Sequence, residues 1–278
     1  MPLSTLLGAA FTIAAAIVAE RYRALTRRGV ITAVVIALAL LATSWEAYLL
    51  TLLFFASSSL LTFFGYKEKE KRGACERKGG RTASQVICSG GVPAALSMLA
   101  LLEHGWSEPL TIAVASTIAF ACADTWAAEL GSLSTAIPRL IVNPRKRVPH
   151  GVSGGITALG ELGAALGALF IALPAAFLKW LGKEYGWSWS DVDLTVWELA
   201  VAVFVLGWLG EVMDSLLGAI IQPKFKCRRC GVIWDHPHHI CGSEGDLVSG
   251  LSFVKNEHVN LMVELIIAVV ALLISPYL

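Results

Sequence analysis

Charge is scarce in this chain of 278 residues. Asp, Glu, Lys and Arg make up 15% of it, against 56% apolar residues and a mean hydropathy of +0.67. A soluble domain of this length has too little interior to hide so much apolar surface, which excludes a soluble enzyme and makes lipid the solvent for most of the chain. The usual nucleotide fingerprints are missing as well: there is no G-x-x-x-x-G-K-[ST] loop and no G-x-G-x-x-G turn, so any nucleotide binds by another scheme. A disulfide framework is also absent from the spacing. Of six cysteines, the close pair Cys227 and Cys230 is followed by Cys241 among histidines, an arrangement suited to metal and to a reducing compartment. A net charge of +1 gives no reason to expect a nucleic-acid partner.

Apolar runs cover residues 3–19, 30–42, 45–64, 86–102, 110–130, 156–178, 196–221 and 259–274. A transmembrane helix needs about 20 apolar residues, so the second run is short and is expected to tilt or to sit partly at the interface. The fold expected is all-α: a polytopic membrane protein of eight helices, forming a single domain over residues 1–278. A small zinc-knuckle-like loop, residues 223–250, is inserted before the last helix. The first run is followed, not preceded, by its basic residues Arg21, Arg23, Arg27 and Arg28, so a retained helix is expected there instead of a signal peptide.

If the helices alternate direction, loops 20–29, 65–85, 131–153 and 222–258 share one side and hold 20 of the 22 Lys and Arg residues, leaving only Lys179 and Lys183 opposite. Basic loops stay in the cytoplasm, which predicts both termini outside and the functional end inside. Trp45, Trp106, Trp180, Trp187, Trp189 and Trp197 fall at the outer boundary, as an aromatic belt would.

Asp124, Glu129, Glu161, Glu211, Asp214 and Glu264 lie inside these runs, with no Lys or Arg deep in any of them. A charge at mid-bilayer costs on the order of 3 kcal/mol on insertion scales, so each acid calls for a partner or a wet site. Gly207, Glu211, Asp214, Ser215, Gly218 and Gln222 follow at helical steps and share a face, and Asn256, Asn260 and Glu264 do the same. Ser58, Ser59 and Thr62 add a hydroxyl patch, although such hydroxyls also serve simply to tie helices together. Crowded carboxylates repel unless protonated or bridged by cations, and Mg²⁺ is the natural bridge. Asp124 and Asp214 are the first candidates for metal, Glu129 and Asn260 the next.

The inner loops carry the opposite charge. Lys78 precedes Gly79–Gly80, Arg81 and Gln85 stand between that pair and Gly90–Gly91, and Arg145, Lys146 and Arg147 precede Gly154 and Gly155. Flexible glycines beside basic residues at a helix start make a place for phosphate, while glycines in these positions also permit close helix packing. In the last loop, Cys227, Cys230 and Cys241 with one of His236, His238 and His239 would complete a tetrahedral structural zinc site with no open position; the alternative is a reduced, metal-free loop.

Six segments, SSSLLTFFGYKEK, GGRTASQVICSGG, ACADTWAAELG, PHGVSGGIT, GEVMDSLLGAIIQ and NEHVN, follow in that order. Together they resemble the transmembrane protein 19 family of integral-membrane proteins, which includes the phytyl-phosphate kinase of plant tocopherol synthesis. The likeness runs from about residue 57 to the C-terminus and is most specific in ADTWAAELG and DSLLGAIIQ. It implies Mg²⁺-dependent phosphoryl transfer from a nucleoside triphosphate, CTP foremost, to an isoprenyl monophosphate of the phytyl or geranylgeranyl type, giving the diphosphate. It also implies functional positions at Thr62, Lys69, Arg81, Gln85, Gly90, Gly91, Asp124, Thr125, Glu129, Gly154, Gly155, Asp214, Ser215, Gln222, Asn256 and Asn260. Ser89 departs from the Asn that usually precedes the paired glycines, His150 differs from many relatives, and Ile240 separates His239 from Cys241, where cysteine-bearing relatives tend to have His adjacent. Two rivals use the same residues. A CTP-dependent lipid cytidylyltransferase would break a different bond. An ion or metabolite transporter would place its site at mid-membrane between repeated halves, and no internal repeat is visible.

Overall fold

The computed structural model describes residues 3–72, 80–102, 105–189 and 192–275. Lys78 and Cys75 therefore lie outside the described residues. The eight expected apolar runs form eight long helices: α1 (Leu3–Arg21), α2 (Arg27–Thr43), α3 (Trp45–Phe63), α5 (Ala83–Leu102), α6 (Glu108–Gly131), α7 (Ala158–Tyr185), α8 (Val196–Ile221) and α9 (Asn256–Ile274). A single short helix, α4 (Tyr66–Lys71), follows α3. Seven of them are long and apolar enough to cross a membrane. The exception is α2, whose 17 residues begin with Arg27 and Arg28.

Sequence marks the helix starts. Thr26 caps α2, Ser44 caps α3 and Thr157 caps α7, each side-chain oxygen accepting an amide of the first turn, and Thr195 with Glu198 forms a capping box on α8. Burial is greatest in α6, which is covered on all sides from Leu110 to Ala123. A helix apolar all round belongs in the centre, and α3, α5, α7, α8 and α9 pack about it. The closest approach is to α7: a Cβ on Gly163 would stand 2.8 Å from the Trp126 carbonyl oxygen, and one on Gly167 3.0 Å from Ala123 Cα. Small residues let two backbones meet at this distance, as membrane helices commonly do.

The loops at one end of the bundle are tied to one another. Leu25 bridges to Arg81, the Arg72 guanidinium donates to the carbonyls of Ser132 (3.0 Å) and Ser134 (2.5 Å), and the Ser153 amide donates to Asp235 (2.6 Å). Two small antiparallel sheets are added to the expected all-helical fold. In one, the order is β2 (Asn143–Arg147), β1 (Arg139–Leu140), β3 (Gly155–Ile156); in the other it is β5 (Ile233–Trp234), β4 (Lys224–Cys227), β6 (Gly245–Ser249).

The opposite end corrects two expectations. Helix α7 runs past residue 178, so Lys179 lies within it and is fully buried. Its Nζ donates to the carbonyls of Trp189 (3.2 Å) and Val192 (2.8 Å). The fully buried Glu46 accepts from Ser44 Oγ and from the Trp189 amide, both at 2.8 Å. Trp189 is thus a core plug stacked edge-on against Trp106, their rings 5.7 Å apart, and not a belt anchor. Trp180 and Trp197 stay exposed, in keeping with a belt.

Candidate active site

The acids gather where α6, α8 and α9 meet at the end of the bundle that carries the tied loops. Asn260 Nδ2 donates to Asp124 Oδ2 (3.0 Å). On α8, Glu211 and Asp214 are buried one turn apart, and Ser215 Oγ donates to Glu211 Oε1 (3.1 Å). Glu211 Oε2, Asp214 Oδ1 and Asn260 Oδ1 are buried with no hydrogen-bond partner among the described residues. Leaving such oxygens unsatisfied costs about 1–3 kcal/mol each, more for charged groups. Hard oxygen donors in this state suit a divalent cation such as Mg²⁺.

Two open cavities flank this cluster. One, of about 850 Å³, is lined by Asp124, Glu161, Glu211, Asp214, Ser215, Asn256 and the segment 150–157. The other, of about 890 Å³, is lined by Arg81, Gln85, Thr125, Glu129, Asn256, Asn260 and again Asp124. Asp124, Ala128 and Asn256 form the wall common to both.

Glu129 has a different environment. Thr62 Oγ1 donates to its Oε1 (2.6 Å), Lys69 Nζ donates to its Oε2, and the same ammonium reaches the Leu61 carbonyl (2.6 Å). Lys69 is 1% exposed. The chain brings it inward through Gly65, whose φ of +66° turns α3 into α4. Glu129, expected among the metal-binding acids, is thus closed off by a basic residue from the loop: both of its oxygens are engaged, whereas Asp214, Glu211 and Asn260 each keep a buried oxygen with no hydrogen-bond partner among the described residues.

Other expected positions separate. Gly90 and Gly91 lie inside α5, where their amides belong to the helix and cannot cradle phosphate; a Cβ on Gly90 would press on Ile36 at 3.3 Å. Gly154 has φ +76°, and a Cβ there would lie 2.4 Å from Ala219 Cβ, so it brings the 150–155 segment onto α8. With Gly155 it lines the first cavity. Arg145, Lys146 and Arg147 are exposed on β2 and line neither cavity. Gln85 Oε1 accepts from the Thr82 amide (2.8 Å) at the start of α5. Glu264 is fully buried and lines neither cavity.

Sequence reading missed Ser153 and Asp235. Ser153 Oγ donates to Asp235 and Gln222, Gln222 Nε2 donates to Asn256 Oδ1 (3.1 Å), and Asp235 pairs with the buried Lys224 (3.0 Å). Burial pulls the Lys224 pKa down, and the Asp235 carboxylate opposes that shift. The lone Asp235 among histidines had no periodic partner to mark it.

A model of the integral membrane protein family DUF92 matches residues 10–268. The chain belongs to this family. Protein PGR of Arabidopsis thaliana is 31% identical over 241 residues, 82% of this chain and 81% of its own. An uncharacterised membrane protein of Methanocaldococcus jannaschii is 27% identical over 93% of this chain and 89% of its own, and one from Synechocystis 26% over 66% of each. No solved structure matches. The resemblance to the transmembrane protein 19 family holds: DUF92 and these relatives agree with it.

In this DUF92 chain the cysteine loop forms a cluster. One ligand atom from each of Cys227, Cys230, His239 and Cys241 lies within 4.8 Å of the others, with Cys227 Sγ 3.5 Å from Cys241 Sγ and Cys230 Sγ 3.4 Å from His239 Nδ1. Sulfurs around a tetrahedral zinc with Zn–S bonds of about 2.3 Å stand roughly 3.8 Å apart, so the set could bind zinc. His239, not His236 or His238, is the imidazole of the cluster, although Ile240 separates it from Cys241. The backbone N–H of Cys230 holds the Cys227 thiol down to about 6, favouring the thiolate that zinc requires. Trp234, next to Asp235, packs with Val148 and Val152, so the knuckle seats on the segment that walls the first cavity.

Two outcomes follow. Lys69→Met leaves Glu129 charged and buried, and should lower unfolding stability in detergent by about 3–5 kcal/mol, with Lys69→Met/Glu129→Gln recovering much of the loss; additive losses in that cycle would contradict the pair. Elemental analysis should find zinc bound near one per chain, lost in Cys227→Ser and retained in His236→Ala; equal zinc in both variants would contradict the ligand set.

Proposed function

We propose that this protein is a membrane kinase that transfers a phosphoryl group from a nucleoside triphosphate, CTP foremost, to an isoprenyl monophosphate. The observation that carries the reading is the oxygen cluster of Asp124, Asp214, Glu211 and Asn260: Asp124 and Asn260 wall the cavity that Arg81 also lines, and Glu211 and Asp214 wall the adjoining one, with Asp124 common to both. Acids alone would suit many cation sites; acids facing a buried cation across a cavity suit a metal-bound polyphosphate. The motif resemblance supplies the acceptor class.

Asp124, Asp214 and Asn260 would hold Mg²⁺, which when bound neutralises and orients triphosphate oxygens. Arg81 binds phosphate oxygens on the opposite wall. Glu129, gripped by Lys69 and Thr62, fixes the inner ends of α3 and α6 and keeps an ammonium beside the second cavity. Gln222, Ser153 and Asn256 hold the segment 150–155 against α8 and shape the first cavity. In the transfer, an oxygen of the prenyl monophosphate attacks the γ-phosphorus of CTP, the bond to the β–γ bridging oxygen breaks, and CDP leaves. A phosphate monoester already carries an anionic oxygen near neutral pH, so positioning and charge neutralisation suffice without a general base. The concentration of Lys and Arg in the loops at this end supports a cytoplasmic site with both termini outside, and the Cys3His knuckle is read as structural zinc.

Purified protein in lipid nanodiscs with Mg²⁺, CTP and geranylgeranyl monophosphate should form geranylgeranyl diphosphate and CDP. Asp124→Asn and Asp214→Asn should each lower kcat by about 100-fold or more while the protein stays folded. Pyrophosphate release with a CDP-linked lipid would select the cytidylyltransferase instead, and unchanged turnover in both variants would overturn the site.

A further inference from the structure

A third cavity, of about 710 Å³, lies away from the acids, between α1, α2, α3 and α5. Its walls are apolar, with Ala16 on α1, Ala33 and Ala37 on α2, and Leu52 and Phe55 on α3. Among the described residues Arg81 is its one ionisable wall, and Arg81 also lines the cavity that holds Asp124 and Asn260. One guanidinium therefore stands at the boundary between an apolar slot and the polar site.

Helix α1 is tied to its neighbours on either side of the slot. At the outer end, Tyr48 Oη donates to the Gly8 carbonyl (3.0 Å) and lies 2.9 Å from Thr12 Oγ1, and a Cβ on Gly8 would strike Leu41 at 2.9 Å. At the inner end, the Arg81 amide donates to the Ala24 carbonyl (2.9 Å) and the Thr26 amide donates to the Arg81 carbonyl (3.0 Å). Between these pins α1 presents Ala15, Ala16 and Ala19, and α2 presents Ala33 and Ala37 beside Val34 and Ile36, alanines leaving room that larger residues would fill. The same backbone bonds hold Arg81 in place. Its guanidinium carbon lies 5.9 Å from the Phe54 ring centroid, a cation–π distance that fixes the charge at the slot's mouth.

We propose that this slot holds the hydrocarbon chain of the prenyl monophosphate, with Arg81 binding its phosphate where slot and acid-lined cavity meet. The proposal rests on the kinase reading for the identity of the acceptor. A single apolar channel ending in a single cation matches a single-chain lipid with a terminal anion, and continuity with the polar cavity sets that anion beside the oxygen cluster.

Photolabelling tests the slot without nucleotide turnover. Geranylgeranyl monophosphate bearing a diazirine on its last isoprene unit, added to the protein in phosphatidylcholine nanodiscs, should label slot residues of α1, α2 and α3. Unlabelled geranylgeranyl monophosphate should compete, and phosphatidic acid should not. Ala37→Trp should cut labelling about tenfold, as overfilling an apolar pocket does; if it fails to fold, Ala33→Leu provides the same reading. Arg81→Gln should weaken competition by the monophosphate while leaving that by geranylgeraniol. Adducts confined to the lipid-facing surfaces of α7 to α9, or equal competition by phosphatidic acid, would overturn the slot. Phosphoryl transfer with label elsewhere would retire the slot and leave the kinase, whereas a labelled slot without transfer would do the reverse.

Discussion

A carboxylate withdrawn from water must be given a partner, and this requirement organises both ends of the bundle. Three solutions appear. Glu46 accepts a backbone amide and a hydroxyl, Glu129 is closed off by Lys69 and Thr62, and Glu211, Asp214 and Asn260 beside Asp124 each keep a buried oxygen with no hydrogen-bond partner among the described residues. The first two fasten helices. The third leaves a cost that folding alone does not recover, and a bound cation would offset it. The same residue type thus serves as a fastener or as a site according to what faces it.

Position within the bundle follows from α6. Because it is buried on all sides through most of its length, the change to polar residues at Asp124 occurs where every surrounding helix also presents its inner end. Asp124 can therefore wall two cavities at once. The inner loops extend this arrangement outward. From the cysteine cluster, contacts run through Trp234 and Asp235 to Ser153, then to Gln222 and Asn256 at the cavity wall. A knuckle that looks peripheral in sequence is connected through these contacts to the wall of the acid-lined cavity, so a zinc ion bound there would help to hold the segment 150–155.

Much of this was legible in the chain. The eight runs, the acids at one level and the Cys227, Cys230, Cys241 set followed from hydropathy, helical period and ligand spacing, because those signals are local. What was lost depended on contacts between distant segments. Lys69 lies in a polar loop run, KEKEK, and nothing local says that it turns inward while its neighbours stay exposed. Gly90 and Gly91 resembled a phosphate loop, but helix α5 begins at Ala83 and absorbs them. Arg145 to Arg147 had the right charge and proved to lie on an exposed hairpin. Asp235 and Ser153 act only as a pair 82 residues apart, a separation that no spacing rule detects. Lys179 looked like a loop residue because the apolar run stops one position earlier, whereas the helix continues to Tyr185.

The central claim is that Asp124 and Asp214 form a divalent-cation site at the inner end of α6 and α8. Titration of the purified protein with Mn²⁺, followed by electron paramagnetic resonance, tests this without reference to any substrate. A saturable Mn²⁺ site displaced by Mg²⁺, and weakened about tenfold or more in both Asp124→Asn and Asp214→Asn, is the predicted result. Mn²⁺ binding of equal strength in the wild type and both variants, or none in the folded wild type, would contradict it.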